Sequence, residues 1–184
     1  MRKFLDRLYK TSGVVAALFL MGICVVVSLQ VLSTILDNAL KAMGQDALGL
    51  TIPSYGEITG FFLVAASFLA LAYTLRAGGH VRVNLFISML GTKPRRGIEL
   101  FNVTFAILLA GMLTWFTAKM VYDAWRFNDL TSGALVIAEW IPKTPMVIGS
   151  AILLIALIDE FFTILSGKDP VYAKGDDGEL NLSE

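Results

Sequence analysis

The chain has 184 residues, of which 16% are charged and 56% hydrophobic, with a mean hydropathy of +0.70. A soluble domain carries roughly 25% charged residues, so this balance excludes an ordinary soluble protein and indicates an all-α integral membrane protein. The formal net charge is zero, which leaves no general basic surface for nucleic acid. The single cysteine, Cys24, excludes a disulfide framework, a thiolate metal site and dithiol redox chemistry.

Arg2, Lys3, Arg7 and Lys10 precede a long uncharged run and imitate a signal peptide. The run is too long for a signal h-region and has no small-x-small cleavage site before polarity resumes. It is read as a retained first membrane helix, about 12–36, because its apolar stretch from Val14 to Leu36 would span ~34 Å against a hydrocarbon core of ~30 Å. Asp37 to Gln45 is weakly amphipathic and suits a short interfacial helix or a loop.

Ser54-Tyr55-Gly56-Glu57 has the S-x-x-E form of a capping box, in which serine and glutamate would satisfy free first-turn amides. A second helix is expected over 54–76. It is rich in small residues, which let membrane helices approach closely, and is the candidate centre of the packing. Asn84 is expected to cap a short helix over 85–90 that stops at Gly91. A third helix is expected over 95–125.

The segment from Arg126 to Pro142 is bracketed by Trp125 and Trp140 and should fold back against the interface, where tryptophan is favoured. Thr144-Pro145 suits the N-cap and first position of a fourth helix over 144–166. Residues 1–166 thus form one four-helix domain. The polar, acidic tail 167–184 is expected to be disordered. Four spans put Arg2, Lys3, Arg7, Lys10, Arg76, Arg82, Lys93, Arg95, Arg96, Lys168 and Lys174 on one side, against Lys41, Lys119, Arg126 and Lys143 on the other. The positive-inside rule then places both termini in the cytoplasm.

The densest polar cluster is Arg76-Ala77-Gly78-Gly79-His80-Val81-Arg82-Val83-Asn84, between the second and third runs. Gly78 and Gly79 supply backbone freedom to leave the helix, while Arg76 and Arg82 suit its C-terminal carbonyls and lipid headgroups. His80 is the only histidine, so a haem would need Met or a partner's histidine as its second ligand. A structural imidazole, or a cationic or partner-contacting one, are the other readings. Asp159 and Glu160 lie before the end of the fourth helix. Either that helix is short and both acids reach the interface, or one pairs with Arg76, His80 or a cation on another subunit, since an unpaired carboxylate in a leaflet is costly. No nucleophile and base, phosphate loop or metal cluster is present, so nothing supports an enzyme.

The R-x-G-x-H turn from Arg76, followed by Val81-Arg82-Val83, resembles the signature of the small, DctQ-like membrane subunit of tripartite ATP-independent periplasmic (TRAP) transporters. It departs at Asn84, where the family more often has Asp. The W-x-P-x-x-P sequence from Trp140 to Pro145 and the four-span layout agree with it.

The resemblance implies a bacterial inner-membrane scaffold subunit without cofactors of its own. A large membrane subunit would carry substrate and coupling sodium, and a periplasmic binding protein would deliver an organic acid. The resemblance at the 76–84 turn, together with the capping-box spacing and the acids of the fourth helix, makes Glu57, Arg76, Gly79, His80, Arg82, Asn84, Asp159 and Glu160 the candidate interface or structural residues, with membrane lipids as further partners. The outside segments, Asp37 to Gly56 and Arg126 to Lys143, are expected to help dock the binding protein. A respiratory-enzyme membrane anchor and a small homo-oligomeric exporter are the alternatives. The lone histidine is adverse to the first, and the absence of a central acid in helices one and two is adverse to the second.

Overall fold

The computed structural model describes residues 2–44, 46, 49, 54–77 and 92–166. It contains four long helices: α1 (Arg2–Ala42), α2 (Tyr55–Arg76), α3 (Thr92–Arg126) and α4 (Trp140–Leu165). All four are long and apolar enough to cross a membrane. The expected short helix over 85–90 and the tail 167–184 lie outside the described residues.

Helix bounds differ from expectation at both ends of α1, at the start of α3, which begins at Thr92 in place of 95, and at the start of α4. α1 begins at Arg2 and absorbs the 37–42 segment, so at ~1.5 Å per residue it is ~61 Å long and overshoots the hydrocarbon core. It closes at Gly44, which takes the left-handed φ of 74° with its amide bonded to the Lys41 carbonyl. At α2 the capping box is not formed. Ser54 sits in the left-handed region (φ 58°), and its hydroxyl caps no first-turn amide.

α4 begins at Trp140, not at Thr144, whose hydroxyl instead donates to the Trp140 carbonyl at 2.7 Å. Pro142 falls where first-turn amides have no helical partner and therefore costs nothing. Pro145 lies inside the helix, removing one intrahelical bond without ending the segment. At the end of α3, Asn128 adopts φ 52° and Asp129 donates back to the Ala124 carbonyl. This is a left-handed helix stop with Asn in the place usually held by Gly.

The helices form a row rather than a closed bundle. α1 packs on α2, α2 on α4 and α4 on α3, with only slight contact between α1 and α4. The expected centre, α2, therefore shares that place with α4. Small residues set the closeness: Ala65, Ala66 and Ala72 are buried on α2, and Gly149 and Ser150 on α4. A Cβ at Gly149 would collide with the backbone of Phe68, so α2 and α4 cross there at the shortest approach a side chain permits.

Between α1 and α2, Gly13 faces the Tyr73 ring and Gly22 the Phe62 ring, which is also edge-on to Phe19 at 5.3 Å. The hydroxyls of Ser33, Thr34, Thr104, Thr114 and Thr117 donate to carbonyls of their own helices. That satisfies them without a partner chain, as expected for hydroxyls in a lipid-facing helix.

Candidate functional site: two polar clamps at opposite ends of the helix row

At the end of the row where α1 begins, Arg76 closes α2 and reaches both neighbouring helices. Its Nη2 lies 2.8 Å from Asp6 Oδ1 on α1 and 3.2 Å from Asp159 Oδ2 on α4, and its Nη1 lies 4.0 Å from Glu160 Oε2. The bond to Asp6 is a true hydrogen bond. The approach to Asp159 is a charge contact, since that oxygen accepts no hydrogen bond.

The guanidinium also lies 5.0 Å from the centroid of the Tyr9 ring, within cation–π range. Tyr9 is 2% exposed and forms a core with Ala72, Ile152 and Ala156, flanked by Leu5, Leu8 and Leu75. The clamp therefore joins α1, α2 and α4 through one side chain, over an apolar floor that lowers the local dielectric and strengthens each contact. Glu160 is almost wholly buried, whereas Asp6 remains well exposed.

At the other end, Glu57 in the first turn of α2 turns away from its own helix. Its two carboxylate oxygens accept the amides of Ala134 (2.8 Å) and Leu135 (3.0 Å) in the connection between α3 and α4. A Cβ at Gly133 would overlap the Glu57 carboxylate, so only glycine lets the acid approach that closely. In a capping box this carboxylate would accept one amide, that of Ser54; here it accepts two, each a charge-assisted bond.

The connection itself is a short hairpin. Leu130 and Ala138 pair antiparallel, with Thr131 N–H donating to the Ile137 carbonyl and Glu139 N–H to the Asp129 carbonyl, both at 2.9 Å. The Thr131 hydroxyl accepts from Ile137 N–H at 3.0 Å and donates to the Leu135 carbonyl. Lys143 and Glu139 form an i,i+4 ion pair at 2.7 Å beside it.

Arg76, Asp159 and Glu160 are thus brought together, and Glu57 is set apart at the opposite end. Gly79, His80, Arg82 and Asn84 lie outside the described residues. Sequence reasoning missed Asp6 and Tyr9 from α1 and the amides of Ala134 and Leu135. For Asp6 a signal existed, a lone acid among Arg2, Lys3, Arg7 and Lys10. For the amides none did, because any residue but proline supplies one. Among the described residues no cluster of histidine, cysteine or acids could hold a metal ion.

Four membrane-length helices, an arginine closing the second and polar groups at the helix ends agree with a comparison to known families. Residues 48–167 match the family model described as the DctQ component of tripartite ATP-independent periplasmic transporters. The chain belongs to the DctQ family. Members are small permease subunits of TRAP transporters, not enzymes, and the family implies a tripartite complex with a large permease and a periplasmic binding protein. The DctQ chain is also similar to the ectoine TRAP transporter small permease protein TeaB of Halomonas elongata. The two are 21% identical over 137 residues, covering 72% of this chain and 71% of the relative.

Proposed function

We propose that this DctQ subunit is the static scaffold of a secondary TRAP uptake system in the bacterial inner membrane. It braces a large subunit that moves an organic acid handed over by a periplasmic binding protein. Substrate and coupling sodium bind on the large subunit. Both termini lie in the cytoplasm, so the Arg76 clamp is at the inner face and the Glu57 clamp at the outer face.

The observation that carries this reading is the placement of charge. Glu57 and Arg76 are nineteen residues apart on α2, about 28 Å along the axis at ~1.5 Å per residue, and no charged residue lies between them. A translocating subunit builds its site near the midplane from discontinuous helices with ion-binding groups. Here the described spans are unbroken and the charges stand at the ends, which suits a brace. Gly79, His80, Arg82 and Asn84, which follow α2 in the sequence, are proposed with Arg76 as the inner surface that meets the large subunit.

The test is purification of the tagged chain from its native membranes in mild detergent, with mass identification and an absorption scan. A stoichiometric large membrane protein and no Soret band is the expected outcome. Recovery of the chain alone, or with a haem band, overturns the proposal.

A further inference from the structure

The hairpin at 127–139 has a structure that docking alone does not explain. Around the single Leu130–Ala138 bridge the segment has one exposed apolar side, with Leu130 and Val136, and one half-buried side, with Thr131, Leu135 and Ile137. The half-buried side is held within the hairpin by the Thr131 bonds to Leu135 and Ile137. The exposed side presents Leu130 at 61% and Val136 at 64% exposure, next to Phe127 at 67%. Trp125, Tyr122 and Ile141 on the flanking helix ends are exposed as well, so the apolar tip is continuous with the outer surface of two membrane spans.

Its backbone is also prepared for a medium poor in water. The amides of Thr131, Ala134, Leu135, Ile137 and Glu139 all have partners inside the protein, two of them supplied by Glu57 from another helix. Pairing of this kind lowers the cost of placing non-helical backbone at membrane depth, where each unpaired amide costs several kcal/mol. Depth follows from the same carboxylate: Glu57 stands ~28 Å along α2 from Arg76, close to the ~30 Å thickness of a hydrocarbon core. With Arg76 at one boundary, the hairpin lies at the other.

We propose that the hairpin is a lipid-seated wedge: Leu130, Val136 and Phe127 enter the boundary between headgroups and acyl chains, and Glu57 is the latch that makes the segment insertable by pairing its amides. The occupant of this face is the bilayer interface. Docking of the soluble binding protein on it is the competing outcome.

The test uses the full chain in its native complex, with Cys24→Ser and a single nitroxide label at Leu130→Cys, Val136→Cys or, for reference in the α1–α2 connection, Asp46→Cys. The complex is reconstituted in phosphatidylethanolamine and phosphatidylglycerol vesicles. The ratio of collision with oxygen, which partitions into lipid, to collision with a water-soluble nickel chelate is expected to be at least roughly threefold higher at 130 and 136 than at 46. Glu57→Gln, which keeps the shape but removes one acceptor, should lower that ratio at 130 toward the reference value. Water-like ratios at 130 and 136, shielding from both reagents, or shielding that appears only when the binding protein is added, would each overturn the proposal. Since the readout is membrane depth and not transport, its failure is distinguishable from failure of the scaffold reading.

Discussion

Arg76 is one cation facing three carboxylates, and its neighbours differ in how much they depend on it. Asp6 is solvent-facing and can be hydrated, whereas Asp159 and Glu160 are largely removed from solvent. Removing one partner of a buried pair leaves the other charge uncompensated. Arg76→Gln should therefore cost about 3 kcal/mol, read as a lowered melting temperature of the purified protein in detergent. Asp159→Asn should cost nearer ~1 kcal/mol, because Arg76 keeps its other partners.

Tyr9 separates packing from hydrogen bonding at the same place. Its hydroxyl is buried without a hydrogen-bond partner while its ring lies against the guanidinium. Tyr9→Phe should be neutral within ~0.5 kcal/mol or slightly stabilising, since the cation–π contact remains and an unpaired polar group is removed. Tyr9→Leu should lose about 1 kcal/mol or more. Equal melting-temperature losses for both would show that the hydroxyl, not the ring, is what the site uses.

Between elements, the packing of α2 on α4 depends on Gly149, where an added Cβ meets the backbone of Phe68. Backbone cannot swing aside as a flexible side chain can, so Gly149→Ala should separate the helices and cost about 2 kcal/mol. Gly60 has open space around its Cβ position, and Gly60→Ala on the same α2 should leave the melting temperature within ~0.5 kcal/mol of the parent. Comparable gains at both glycines would show that helix propensity, which favours alanine, and not close approach, sets the sign. The elements also show where sequence patterns mislead. Ser54 and Glu57 have the spacing of a capping box, yet the left-handed backbone at Ser54 and the amides of Ala134 and Leu135 take the glutamate elsewhere. Thr144-Pro145 has the form of a helix start, yet Pro142 is tolerated in the first turn and the helix begins at Trp140.

At the scale of the whole molecule, the row of α1, α2, α4 and α3 leaves broad apolar faces uncovered, with Phe101, Leu108, Trp115 and Phe116 exposed along α3 alone. In a membrane such faces meet lipid or another subunit, since the bilayer supplies no hydrophobic drive to close a bundle. An open row pinned by one polar clamp at each end suits the brace proposed above. The two clamps share α2 but stand at its opposite ends, about 28 Å apart at ~1.5 Å per residue, so Arg76→Gln and Gly133→Ala should have additive effects on melting temperature within about 0.5 kcal/mol. Strong non-additivity would mean that the two ends move as one body.

The sequence alone determined the membrane class, the count of apolar spans and the kinship with the DctQ family, because these rest on hydropathy, length and a local motif that any conformation of the chain would carry. It also raised, as one of two readings, a pairing of Asp159 or Glu160 with Arg76, His80 or a cation on another subunit, since an unpaired carboxylate near hydrocarbon is costly. Only the tertiary structure decided who those partners are. The Arg76 clamp spans seventy residues of sequence to Asp6, and the Glu57 latch spans more than seventy to Ala134 and Leu135. Such pairings depend on which helices become neighbours in the row. That is set by the summed fit of small residues such as Ala65, Ala72 and Gly149, and no single position in the chain announces it.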